Sequence, residues 1–143
     1  MRFECNGLTF TYPEAAKPVL ENLNFSMAAP GFNAVFGPSG VGKTSFARIL
    51  AGGSSGPGGS ALIYEGISTI LYSYNQERLP GWSCTGSHLE KVCPSKKSDL
   101  KKELVNIFKV DSLLGSRFSQ LSMGQQNRMN LIRYLIQDFD LLI

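Results

Sequence analysis

Three features of the 143-residue chain predict an α/β fold. A short apolar run, Phe32-Asn33-Ala34-Val35-Phe36, leads into a glycine-rich loop and then into a segment with helical spacing. Antiparallel strand patterns precede this unit, and a helical stretch from about Ser83 to Leu114 follows it. A strand–loop–helix unit of this kind sits on a parallel sheet. The expected architecture is therefore a phosphate-loop α/β core with an N-terminal antiparallel β portion and a small helical subdomain.

The chain opens with Arg2-Phe3-Glu4-Cys5, Asn6-Gly7 and Leu8-Thr9-Phe10-Thr11-Tyr12, a hairpin pattern with Asn-Gly at a type I′ turn. Leu23, Phe25 and Met27 alternate with polar or small residues and predict a half-buried strand, after which Pro30-Gly31 makes a turn. Beyond the glycine loop, Phe46, Ala47, Ile49, Leu50 and Ala51 recur at helical spacing until Gly52-Gly53 ends the helix. Residues 52–60 have the composition of a linker, but strand patterns resume at once over 61–64 and 69–74, which makes them a surface loop. From Ser83 the period is helical. Ser98 is expected as an N-cap, with Leu100, Leu104, Ile107 and Phe108 buried and Lys96, Lys97, Lys101 and Lys102 solvated. A second strong helix carries Met129, Ile132, Leu135 and Ile136 on one side. Asp138-Phe139-Asp140 breaks it before the apolar strand Leu141-Leu142-Ile143.

The central loop, Gly37-Pro38-Ser39-Gly40-Val41-Gly42-Lys43-Thr44, fits G-x-x-x-x-G-K-[ST]. A triphosphate crowds negative charge into a small volume, and backbone N–H groups surround it only where no Cβ intrudes. Gly40 and Gly42 permit that approach, and the following helix points the positive end of its dipole at the phosphates. Lys43 is expected between the β- and γ-phosphates, with the Thr44 hydroxyl on Mg²⁺. A chance match to the pattern would not bring the flanking strand and helix with it.

The bulk numbers exclude several classes. With 43% apolar and 17% charged residues, the chain suits one globular domain. A net charge of +3 is too mild to argue for nucleic acid or an anionic membrane. Cys5, Cys84 and Cys93 are far apart and form no C-x-x-C, so they are expected as reduced thiols of a cytosolic protein. His88 is the only histidine, with no second ligand clustered near it, and is expected at the surface. No stretch approaches the roughly 20 apolar residues of a membrane span, and Met1 opens no signal peptide.

In this order the segments resemble the ATP-binding subunit of an ABC transporter, along nearly the whole chain. Tyr12 stands where that family carries an aromatic residue stacked on adenine, and Gly37, Pro38, Ser39, Gly40, Val41, Gly42, Lys43, Thr44 and Ser45 match its Walker A loop and the residue after it. Gln76 matches the Q-loop glutamine, which in the family lies near Mg²⁺ and the attacking water in a loop facing the membrane subunit. Leu121-Ser122-Met123-Gly124-Gln125 is similar to the signature LSGGQ. The resemblance implies that Ser122, Gly124 and Gln125 act in trans on the γ-phosphate of ATP held by a second subunit. It also implies ATP and Mg²⁺ as cofactors, Lys43 and Gln76 in catalysis, and Thr44 and Gln76 at the metal. The implied partners are a transmembrane permease, a second ATP-binding subunit of the same or another kind, and a solute-binding protein. The implied place is the cytoplasmic face of the cell membrane, held there by the permease. Glu77-Arg78-Leu79-Pro80-Gly81-Trp82 is similar to the segment that carries Leu-Pro-Trp in nitrate/sulfonate/taurine-type importers, with Gly81 inserted.

Three departures accompany the match. Met123 occupies a glycine position of the signature, and the spacing from Lys43 to Ser122 is short. The Walker B carboxylates and switch histidine would lie beyond Ile143, so the chain is expected to be C-terminally truncated and inactive on its own. The expected sections are residues 1–82 (β portion and phosphate-loop core), 83–120 (helical subdomain) and 121–143 (signature helix and the start of the Walker B strand). Two readings compete with an importer ATPase: a soluble ATPase of the same superfamily, in DNA repair or at the ribosome, and a nucleotide-binding module without turnover.

Overall fold

The computed structural model describes residues 1–28, 31–52, 61–73 and 81–143. The chain divides into two compact units, residues 1–72 with 139–143, and residues 73–138.

In the first unit, β1 (Arg2–Phe10) pairs antiparallel with both β2 (Leu20–Met27) and β3 (Ala61–Glu65), giving the order β2-β1-β3. The hairpin expected at Asn6-Gly7 is a bulge instead. Pairing of β1 with β2 shifts register between Cys5 and Leu8, and Gly7 takes φ +67°. Burial gives the reason. Phe3, Cys5, Leu8 and Phe10 are all buried, whereas unbroken alternation would send the second pair to the opposite face. One extra residue returns all four to a single core. Asn24 braces the bulge by accepting the Gly7 N–H at 2.8 Å.

Helix α1 (Lys43–Leu50) packs Phe46, Ile49 and Leu50 into that core. Phe25 bridges strand and helix, its ring centroid 5.5 Å from Phe3 and 5.9 Å from Phe46. Gly52, at φ +80°, ends the helix as expected, and the Tyr64 hydroxyl donates to the Leu50 carbonyl at 2.8 Å. A separate parallel pair joins β4 (Ile70–Leu71) to β5 (Leu141–Leu142). Residues 32–36, expected as a strand, join no ladder among the described residues, and Phe32 is 96% and Phe36 90% exposed. A strand exists through the neighbour that satisfies its N–H and C=O groups, and none of the described strands pairs with this run.

The second unit packs α2 (Thr85–Val92), α3 (Ser98–Ile107) and α4 (Met123–Leu135) around Leu89, Val105, Val110, Phe118, Met129 and Ile132. The signature helix α4 thus belongs with the helices before it. Two expectations for α3 are corrected. A 3-10 turn (Ser95–Lys97) runs straight into the helix, so Lys97 holds the cap position without a side-chain bond and Ser98 is already helical. The buried face carries Lys101 and Val105, while Leu100 and Ile107 are exposed. Lys101 is tolerated there because its ammonium pairs with Glu90 on α2. Lys97 is not free in solvent either, since it donates to the Gln137 carbonyl and pairs with Asp138 at 3.0 Å. Leu104 and Phe108 do pack against the core as expected, but hydropathy counts lysine as polar, which hides Lys101 from the inferred face. On α4, Met129 and Ile132 are buried as expected, and Tyr134 is buried as well. His88 is half-buried, its ring edge-on to Phe118 at 5.4 Å between centroids. The three cysteines are free thiols, and burial pushes that of Cys5 upward.

Candidate functional site

The phosphate loop leaves its donors open. The first bond of α1 runs from the Phe46 N–H to the Gly42 carbonyl at 2.8 Å, which leaves the N–H groups of Lys43, Thr44 and Ser45 as the orphan donors of a helix start. No side chain caps this end, and its first turn holds no acidic residue. Gly40 and Gly42 sit in the left-handed region, at φ +82° and +100°. They differ in one respect. A Cβ on Gly42 would meet Val19 Cγ1 at 2.9 Å and the Val19 carbonyl at 3.1 Å, whereas a Cβ on Gly40 would enter open space. Gly42 is thus fixed partly by β2's entry, and Gly40 by its backbone alone. Lys43 folds over the loop and donates to the carbonyls of Gly37 at 2.8 Å and Pro38 at 2.7 Å, which leaves one of its three N–H donors for a ligand. Gly37, Pro38, Ser39, Val41 and Thr44 are exposed. A cavity of about 310 Å³ lies beside the loop, but its walls include Leu20, Leu23, Phe25 and Phe46, too apolar to seat a phosphate.

Tyr12 joins this cluster. Its hydroxyl lies 2.9 Å from Ser45 Oγ in the first turn of α1, and its ring stands edge-on to Phe10 with centroids 4.9 Å apart. Ser45 is 8% exposed and Tyr12 40%. The sequence marks both residues as candidates but carries no signal for the bond between them, nor for the contact of Val19 with Gly42. Gln76 and the segment 77–80 lie outside the described residues.

The signature is built in the helical unit. Ser122 caps α4: Gln125 N–H donates to Ser122 Oγ at 3.3 Å, and Ser122 N–H donates to Gln125 Oε1 at 2.9 Å. The box uses the serine and glutamine oxygens as acceptors, so the serine proton and the glutamine NH₂ take no part in it. Met123 is 79% exposed at the helix start. A Cβ on Gly124 would meet nothing within 4 Å, so none of the described residues asks for glycine there. Gln126, unmarked by the sequence, supports the entry by donating its amide to the carbonyls of Phe118 and Leu121.

The acidic residues near the C-terminus are engaged elsewhere. Asp140 accepts the N–H groups of Ser68 and Thr69 at 2.8 and 2.9 Å, and those bonds hold its carboxyl below the usual range. Asp138 pairs with Lys96 and Lys97, which lower it likewise. Among the described residues, no group of three His, Cys, Asp or Glu side chains could hold a metal ion.

Comparison with known proteins decides the family. The family model described as "ABC transporter" matches residues 20–143. The chain belongs to the ABC transporter family. A taurine import ATP-binding protein of Pseudomonas syringae pv. tomato is 31% identical over 147 residues, covering 94% of this chain and 56% of that relative. An ABC multidrug transporter of Aspergillus fumigatus is 31% identical over 163 residues, covering 100% of this chain and 20% of its own length. Among solved structures, a chain described as an ATP-binding protein of an ABC transporter from Pyrococcus furiosus shares the fold. Its TM-score is 0.73 at 20% identity, over 99% of this chain and 74% of that one. The present chain thus spans little more than half the length of the taurine-import relative. No helix among its described residues is long and apolar enough to cross a membrane.

Proposed function

We propose that this chain is the nucleotide-binding part of an ATP-binding subunit that couples ATP hydrolysis to solute import through a membrane permease. The observation that carries the reading is the uncapped start of α1, with glycines in the left-handed region at 40 and 42 and the Lys43 ammonium folded over the loop. Three orphan N–H groups, a dipole and one cation converge there with no acidic residue in the first turn of the helix, an arrangement that favours a polyphosphate. Lys43 then neutralises the terminal phosphates, and Thr44, with Gln76, would hold Mg²⁺, which supplies charge neutralisation at the phosphate oxygens. Tyr12 offers a partly exposed ring next to the phosphate seat, as a nucleobase requires.

The capped start of α4 supports a second role. The Ser122 and Gln125 donors that the box does not use, beside a glycine whose Cβ would meet none of the described residues, suit a phosphate brought by another subunit. The partners on this reading are a second ATP-binding subunit, a permease that holds the pair at the cytoplasmic face, and a solute-binding protein. Import is favoured because curated relatives are named as taurine, spermidine/putrescine and aliphatic sulfonate import proteins. The 143-residue chain alone is proposed not to turn over: Asp138 and Asp140 serve other contacts, and among the described residues no group of three His, Cys, Asp or Glu side chains is gathered for a metal.

The test is ATP hydrolysis by the full-length protein reconstituted with its permease. Lys43→Ala should abolish both binding and hydrolysis, whereas Ser122→Ala should keep ATP binding and lose most solute-dependent hydrolysis. Hydrolysis that survives Lys43→Ala would remove the loop from the active centre.

A further inference from the structure

Tyr12 and Ser45 form a contact that phosphate binding by itself does not explain. Ser45 is nine-tenths buried in the first turn of α1, and the Tyr12 hydroxyl lies 2.9 Å from its Oγ. Tyr12 lies just past the end of β1, where its carbonyl accepts the Ala15 N–H at 2.9 Å in a turn built on Pro13. The Phe10 ring meets it edge-on, and 40% of the residue stays exposed. A ring on such a turn has free rotamers unless something holds its far end, and the serine hydroxyl does so.

We infer that Ser45 is a positioning residue that acts through Tyr12, holding the aromatic ring where a nucleobase would stack and tying it to the first turn of the phosphate-binding helix. This rests on the nucleotide-binding reading above and goes beyond it by giving Ser45 a part in base recognition. The polarity of the bond follows from its surroundings. A hydroxyl both donates and accepts, so when Tyr12 donates to Ser45 Oγ, the serine keeps a proton to donate to an anion at the helix start. Negative charge at that end favours this direction, and hydrogen bonds linked in one direction strengthen one another. Occupation of the phosphate seat would thus tighten the seat of the base.

A base-dependent readout separates positioning from simple stability. Dissociation constants of ATP and of inorganic tripolyphosphate are measured on the 143-residue chain by ligand-observed NMR, with the melting temperature of each variant alongside. Tyr12→Phe keeps the ring and removes the hydroxyl; Ser45→Ala removes the partner; Ser45→Thr keeps a hydroxyl at the same place. The expected result is a loss of preference for ATP over tripolyphosphate of about three- to tenfold in Tyr12→Phe and in Ser45→Ala, the range of one net hydrogen bond. The double variant should lose no more than either single one, and Ser45→Thr should recover most of the preference. If both single variants keep the parental ratio, Ser45 does not position Tyr12, and a drop in melting temperature with an unchanged ratio means a structural bond only. Should the parent bind neither compound, the nucleotide reading itself fails, and this inference with it. Tyr12→Phe carries the test alone if Ser45→Ala does not fold.

Discussion

Gly40 and Gly42 share a motif but are held by different physics. At Gly42 a methyl group meets both a left-handed backbone and the Val19 side chain and carbonyl, while at Gly40 it meets only the backbone. Gly42→Ala should therefore destabilise the fold by about 2–4 kcal/mol, strain and overpacking together. Gly40→Ala should cost the fold only about 1 kcal/mol and act mainly on phosphate binding, because the methyl would point into the space a phosphate uses. Urea denaturation of the two variants, beside their affinity for tripolyphosphate, checks this, and equal destabilisation would refute it. Asp140 gives a second prediction. Its carboxyl is lowered by the N–H groups of Ser68 and Thr69, so its stabilising contribution is complete above the ordinary value of 3.8 and is lost as pH falls through the lower folded value. Asp138, lowered by Lys96 and Lys97, acts in the same direction. Asp140→Asn should accordingly lower the melting temperature at neutral pH and flatten its fall below about pH 4, where variant and parent converge.

The start of α4 shows an element carrying two demands. Ser122→Ala removes one side of the capping box and should cost about 0.5–2 kcal/mol. Gly124→Ala should do the reverse, since a helical glycine with open space around its Cβ position costs roughly 0.5–1 kcal/mol against alanine. If the glycine serves an approaching phosphate from another subunit, this stabilised variant should lose hydrolysis in the full-length protein. A Gly124→Ala protein as active as its parent would show that the glycine has no such use. The elements also divide by how legible they were. The loop, α1, β2 and β3 follow from local pattern, because glycine conformation and side-chain period are properties of the residues themselves. The misread parts depend on partners distant in sequence. Asn6-Gly7 suits a turn or a bulge equally, and only a core shared by Phe3, Cys5, Leu8 and Phe10 selects the bulge. Lys101 lies on the buried face of α3 because Glu90 on another helix meets it. The Tyr12–Ser45 bond spans 33 positions, with no local period to announce it.

For the whole molecule, the candidate residues fall in two separately packed units: Tyr12 with the phosphate loop in one, Ser122, Gly124 and Gln125 in the other. Each unit has its own core, so substitutions in the loop and in the signature should act on different properties. Loop variants should change the affinity of this chain for nucleotide, whereas signature variants should change only what a second subunit does with it. The central claim is that the uncapped start of α1 with Lys43 is a polyphosphate seat. Calorimetric titration of Mg²⁺-ATP into the 143-residue chain and its Lys43→Ala variant tests it most directly. The expected result is weak but saturable binding to the parent and a loss of at least about tenfold in the variant, as removal of a charge-assisted partner implies. Equal affinity of the two proteins would contradict the claim.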